Sequence, residues 1–186
     1  MKIIQFFKNE EKLIIRAIQN NREAQHLLFK LYAPKMLSVC RYYIKDIQFA
    51  EDAMLKGFFK VFSNLNKFQN NGSFEGWIRK IMIRESISFL RKQKKIEFVY
   101  EEVFPIETSN TIYSDMEVAQ IQQLIDELPS GYKIVFVMFV IEGYKHQEIS
   151  KMLQITEGTS KSQLFKARKM LQHKINKLNN TSNGTL

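Results

Sequence analysis

Apolar residues recur at three- and four-residue intervals over most of the chain, the period of a helix with one buried face. Residues 9–68 read as helices. Leu27, Leu28, Leu31 and Tyr32 share this spacing, and Met36, Leu37, Cys40, Tyr43 and Ile44 continue it. Pro34 stands between the two sets and predicts a boundary or kink near Ala33, because proline lacks the N–H that a helix interior uses. A further helix covers 49–65, with Ala53, Leu55, Phe58, Phe59 and Phe62 apolar. Glu51 and Asp52 fall in its first turn, near the positive end of the helix dipole. Asn70-Asn71-Gly72 is a turn signal, and Ser73 is a side-chain cap for the next helix, 74–92. There Trp77, Ile81, Ile87 and Leu90 define an apolar stripe, with Arg79, Arg84 and Arg91 on the other face.

The helical pattern lapses over 96–118, which holds Pro105 and a Thr-Ser-Asn-Thr stretch and reads as a linker. It returns in a helix, 118–128, that stops at Pro129. The following segment contains IVFVMFVI, Ile134–Ile141, a strand by propensity alone. Its flanks are helical and no partner strand is evident, so it is assigned to a buried helix, with Gly143 as a C-cap. Residues 144–171 have a helix-turn-helix layout. The first helix is 146–153, with Ile149, Met152 and Leu153 inward; Gln154-Ile155-Thr156 is the turn, in which Ile155 fills the space between the helices. Thr156 caps a second helix from Glu157, whose buried stripe is Leu164, Ala167 and Leu171. That stripe leaves Lys161, Ser162, Phe165, Lys166 and Lys169 outward. The expected fold is all-α: two small helical domains, 1–95 and 118–180, joined by a flexible acidic linker, 96–117, with a disordered tail, 181–186.

Composition narrows the classes. The chain has 186 residues with only 7 Gly and 3 Pro, too few turn formers for a many-stranded sandwich or barrel. Its one cysteine, Cys40, excludes an internal disulfide and a Cys-rich zinc site. His26, His146 and His173 are far apart, which suits surface or helix-packing roles. The apolar start, Ile3–Phe7, ends at Lys8 and is too short for a signal-peptide core. The IVFVMFVI run falls far short of the ~20 residues that cross a bilayer. No membrane insertion and a cytoplasmic location are expected.

Charge adds a partner. The formal net charge is +9, and it is unevenly spread. Arg79–Lys95 holds seven bases against Glu85, and Thr159–Leu186 holds six bases and no acid. Between them, Ile96–Leu128 holds eight acids and no base. A single basic run is usually a solvated face. Two separated by an acidic block point to a polyanion, with nucleic acid ahead of a membrane surface. The acidic block would repel that partner or cover the basic blocks. On the second helix of the helix-turn-helix, Gly158, Thr159, Ser160 and Ser162 permit close approach to a groove, while the lysines and Gln163 offer donors. No phosphate-binding Gly-rich loop, metal-ligand cluster or Ser/His/Asp constellation is present in the sequence, so neither an enzyme nor a cofactor is expected.

Two blocks carry a family resemblance. The first is LFKLYAPKML (Leu28–Leu37), AEDAMLKGFFKVF (Ala50–Phe62) and FEGWIRKIMIRESISFLRKQKK (Phe74–Lys95). The second is Ile125–Leu171, including IDELPSGYKIVF and the helix-turn-helix. In this order and spacing they resemble regions 2 and 4 of bacterial RNA polymerase sigma factors of the extracytoplasmic-function group.

The resemblance implies a chain that binds core RNA polymerase and directs it to promoter DNA, leaving the chemistry to the polymerase. The helix Ala50–Phe62 is similar to the one that docks on the polymerase clamp, with Asp52, Lys56 and Phe59 as candidate contacts. Leu55-Lys56 replaces the usual Gln-Glu pair there. The stretch from Asn71 to Lys92 resembles the part that reads and opens the −10 element. Arg79, Lys80, Arg91 and Lys92 would hold phosphates, the loop of Asn71, Gly72 and Ser73 would line a pocket for an extruded base, and Arg84 would alter base preference. Lys161, Ser162, Phe165 and Lys166 match the face that enters the −35 major groove, with Arg168 and Lys169 on phosphates. Members of the group are often held inactive by an anti-sigma protein, which adds a candidate partner. The alternative is a stand-alone helix-turn-helix regulator, which leaves the first domain unexplained.

Overall fold

The computed structural model describes residues 2–69, 71–93, 96 and 118–182. Expectations for the linker beyond Ile96 and for residues 183–186 lie outside these. The described residues form helices and turns without a strand, and they divide into two units, Met1–Gln93 and Lys94–Leu186. Among them no helix is long and apolar enough to cross a membrane.

The first unit holds α1 (Lys2–Ile18), α2 (Arg22–Tyr43), α3 (Ile47–Ser63), a short 3-10 turn (Leu65–Lys67) and α4 (Phe74–Lys92). Asn21 caps α2, its side chain accepting the Ala24 N–H at 2.9 Å. The pairs Arg16–Glu23 and Glu10–Tyr32 show that α1 and α2 run antiparallel. α2 passes through Pro34 without a break, contrary to the predicted boundary. An interior proline costs about 3 kcal/mol. A buried stripe on both sides of it, Leu28, Tyr32, Met36, Val39, Cys40 and Tyr43, offsets that cost, since each large apolar side chain contributes ~1.5–3 kcal/mol. α3 starts at Ile47, earlier than predicted, because Asp46 accepts the N–H groups of Gln48 and Phe49. Glu51 and Asp52 therefore sit beyond the first turn, and Asp46 supplies the negative end group.

α4 packs on α3 and α2. Its buried stripe is Phe74, Ile78, Met82, Ile83, Ser86, Ile87 and Leu90. Trp77 and Ile81 are at its edge, half-buried, so the predicted stripe was rotated by a residue at its N-terminal half. Trp77 belongs to an aromatic cluster, with ring centroids 5.5 Å from Phe68 and 5.8 Å from Phe74.

The second unit holds α5 (Val118–Asp126), α6 (Ser130–Phe136), a π-helical turn (Val137–Ile141), α7 (His146–Leu153) and α8 (Glu157–Ser182). α8 runs past the predicted boundary at 180. The apolar run is helical, as expected, with Ile134, Val135, Val137 and Met138 buried. Its second half widens, the Glu142 N–H donating to Val137 O at 3.0 Å, and the chain turns at Gly143. Leu124, Leu128, Ala167 and Leu171 form a core between α5 and α8, flanked by Tyr132, Phe136, Met170 and Ile175. An ion pair between Lys133 and Asp126, 2.6 Å apart and with both side chains almost fully buried, ties α6 to α5.

Candidate nucleic-acid interface

In the second unit α7 takes the bounds predicted for the first helix of the helix-turn-helix, and α8 starts at Glu157 as predicted. Lys145 has no side-chain acceptor, and its N–H donates instead to the Glu148 carboxylate at 2.8 Å. Gln154 takes a left-handed conformation, φ 58°, that closes α7. Thr156 caps α8, its Oγ1 accepting the Thr159 N–H at 3.0 Å.

The buried face of α8 includes Leu164, Ala167 and Leu171, as expected, and also Thr159, Ser160, Ser162 and Gln163. Ser162 is thus not on the outward face. It is 8% exposed, and its Oγ donates to Thr159 O at 3.0 Å. Gln163 is fully buried and does not offer a donor to a groove. Lys161, Arg168 and Lys169 are exposed, and Phe165 and Lys166 are half-exposed. Glu157, Lys161, Phe165 and Arg168 follow helical spacing along one side, so α8 presents an aromatic ring between two cations. Phe139, from the π-helical turn, borders this side, with Arg168 Cζ 5.8 Å from its ring centroid.

The sequence suits His146 to a surface or helix-packing role. It stacks on Phe139 at 4.5 Å, and its Nδ1 lies 2.8 Å from Ser160 Oγ. Burial lowers its pKa below the ordinary imidazole value; Lys161 and Arg168 add to this and Glu157 opposes it.

In the first unit the loop before α4 has Gly72 at φ +118°, a conformation that side chains rarely adopt. Asn71 and Ser73 are exposed beside it. The Ser73 Oγ accepts the Gly76 N–H at 3.1 Å, so it caps α4. Lys80, Arg84, Arg91 and Lys92 are exposed along α4, and Arg79 is half-buried. Lys80, Arg84 and Arg91 share one side. Lys60 of α3 pairs with Glu85 at 2.5 Å, so the acid of this basic block is held by a lysine from another helix.

α3 turns Asp52, Lys56 and Phe59 outward. Phe59 is 74% exposed and Leu55 is 52% exposed. Phe58 is buried against Phe29 and Phe62. Leu55 was not among the candidates, although its i, i+4 spacing to Phe59 and its place beside Lys56 carry the signal. Two large apolar groups held in water beside charges of both signs are the composition of a protein-binding spot.

Comparison with known proteins decides the family. Residues 28–96 match the model of Sigma-70 region 2, and residues 119–171 match that of Sigma-70, region 4. The chain belongs to the sigma-70 family, in its extracytoplasmic-function group. RNA polymerase sigma factor SigV of Bacillus subtilis is 29% identical over 73% of this chain and 81% of its own length. ECF RNA polymerase sigma factor SigW of the same organism is 26% identical over 90% of this chain and 97% of its own. A solved structure of the sigma factor RpoE, in complex with the anti-sigma factor NepR from Bartonella quintana, shares the fold. It covers 80% of this sigma factor and 94% of its own chain at 18% identity and a TM-score of 0.53. A stand-alone regulator would use one unit only; here both units match, in family order.

Proposed function

We propose that this sigma factor docks on core RNA polymerase through Asp52, Leu55, Lys56 and Phe59 of α3 and carries the enzyme to promoters in the cytoplasm. The loop of Asn71 and Ser73, with Lys80, Arg84, Arg91 and Lys92 of α4, meets the −10 element, Arg79 supporting it from the edge. Lys161 and Phe165 of α8 face the −35 groove, and Lys166, Arg168 and Lys169 neutralise phosphates beside it. Anti-sigma control fits the same reading, since the solved relative RpoE is in complex with an anti-sigma factor. One observation supports the whole: two exposed basic helix faces lie in separate units, each inside a matched sigma region.

Reconstitution tests it. Purified protein with core polymerase should initiate at a defined start on its promoter. Phe59→Ala should weaken core binding by about 2 kcal/mol or more, the loss typical of a central interface anchor, without changing stability. Lys161→Ala should cost ~1–3 kcal/mol on an intact promoter and nothing on one with a scrambled −35 element. DNA binding that persists with no contact to polymerase refutes the proposal.

A further inference from the structure

His146 joins three helical elements at one imidazole. It opens α7, bonds through Nδ1 to the Oγ of Ser160 on α8 at 2.8 Å, and stacks on Phe139 of the π-helical turn with ring planes 25° apart. Ser160 is fully buried, and its N–H donates to Thr156 O at 3.0 Å within the first turn of α8. The serine directly precedes exposed Lys161, and Phe139 also borders Arg168. The ring therefore touches both supports of the two cations that frame Phe165.

We propose that His146 is a positioning residue for DNA reading: its bond to Ser160 and its stack on Phe139 set the roll of α8 that aims Lys161 into the groove and Arg168 at the phosphates beside it. This rests on the reading of α8 as the −35 helix. A neutral imidazole accepts the serine O–H or donates to its oxygen; a charged one can only donate. The charged groups facing the ring are Lys161, Arg168 and Glu157, all on α8, while the turn Val137–Ile141 carries none. Protonation would place a third cation beside Lys161 and Arg168 and restrict the Ser160 bond to one direction. Both changes act on aim, and the added charge raises attraction to any DNA.

The experiment uses the full chain. Enrichment on a random duplex library supplies the specific probe; failure to enrich any sequence overturns the −35 reading and the proposal with it. Fluorescence anisotropy then measures the ratio of specific to non-specific affinity, with circular dichroism verifying that each variant is folded. H146F and S160A should each lower the ratio about tenfold, and the double variant no further, as for two ends of one bond. H146N, which keeps a group near Nδ1, should stay within about threefold of the parent. Taking the parent from about pH 7.5 to about pH 5.5 should lower the ratio, and H146N should show no such fall. S160A carries the test if H146F does not fold. A purely structural role would scale both affinities together and leave the ratio unchanged. A ratio unchanged in both H146F and S160A, or H146N falling as far as H146F, overturns the proposal.

Discussion

Replacing Lys133 with methionine removes one partner of an ion pair sealed inside the second unit. The Nζ–Oδ1 distance is 2.6 Å, and the Lys133 and Asp126 side chains are 6% and 4% exposed. Methionine keeps most of the lysine stem, so the cavity left behind is small. The cost falls on the Asp126 carboxylate, which loses the Lys133 cation and keeps a 3.3 Å bond from the Gln122 amide. Breaking a buried pair in this way costs ~3–5 kcal/mol. The stability of a small domain runs at ~0.05–0.15 kcal/mol per residue, which makes about 3–10 kcal/mol for residues 118–182. Lys133→Met should therefore remove a third or more of it. With a urea dependence of about 1 kcal/mol per molar, the midpoint should fall by ~3 M or the transition should vanish. The assay follows from composition. The one tryptophan, Trp77, lies in the first unit, so its fluorescence reports that unit alone, while far-ultraviolet circular dichroism reports helices in both. Dichroism should be lost early in urea with the Trp77 transition unmoved. Adding Asp126→Leu should restore stability to within about 1 kcal/mol of the parent, because two apolar groups need no pairing. A loss under about 1 kcal/mol for Lys133→Met, or a double variant less stable than the single, refutes this account of the pair.

Gly57 sits where α3 crosses α4, and a methyl group there would overlap the buried Met82 side chain. Gly57→Ala should cost the first unit ~1–3 kcal/mol by Trp77 fluorescence, and less in combination with Met82→Ala than the two losses summed. Cys40 is fully buried, and burial pushes its thiol up to about 11. A disulfide reagent near pH 8 should label it at the rate at which the first unit opens; immediate labelling of the folded chain contradicts its burial. His146 has a folded pKa below its ordinary 6.5. The unfolded chain therefore takes up this proton first as pH falls. The second unit should lose stability as pH drops through about 6.5 and level off below the folded value; a curve with the same slope in His146→Asn refutes that assignment.

Most of the fold is legible because helix type depends on local spacing. The bounds of α7 and the start of α8 follow from apolar period plus one cap, Thr156, and the structure reproduces both. The differences arise where tertiary packing outweighs a local rule. Pro34 predicts a break, yet the stripe from Leu28 to Tyr43 is buried on both sides of it and carries α2 through. Apolar spacing starts α3 at Phe49, but Asp46 caps it one turn earlier, ahead of Ile47, which stays exposed and so adds nothing to the buried pattern. Hydropathy does not separate Phe58 from Phe59 or mark Leu55 as exposed; Phe59 is singled out as a candidate contact by the family resemblance alone. Whether an apolar residue of a helix faces inward is decided by the neighbouring helix: Phe58 packs on Phe29 of α2, and Phe59 stays in water.

The candidate DNA face shows the same limit at finer scale. Small polar residues at the start of α8 suggest close approach to a groove, and at Ser160 the surface that comes close is α7. Thr159, Ser160, Ser162 and Gln163 are buried, and Ser160 meets His146 of α7. Small size is equally useful for approaching a groove or a helix, so composition cannot separate the two partners. Charge can, because burying a lysine or arginine without a partner is costly while burying a serine with one is cheap. Lys161, Arg168 and Lys169 therefore end on the solvent side. Under the proposed function this leaves Lys161 and Phe165 as the α8 side chains that meet bases, with Arg168 on the phosphates beside them. Of the buried polar residues, Ser160 ties the helix from which those three project to α7 through His146.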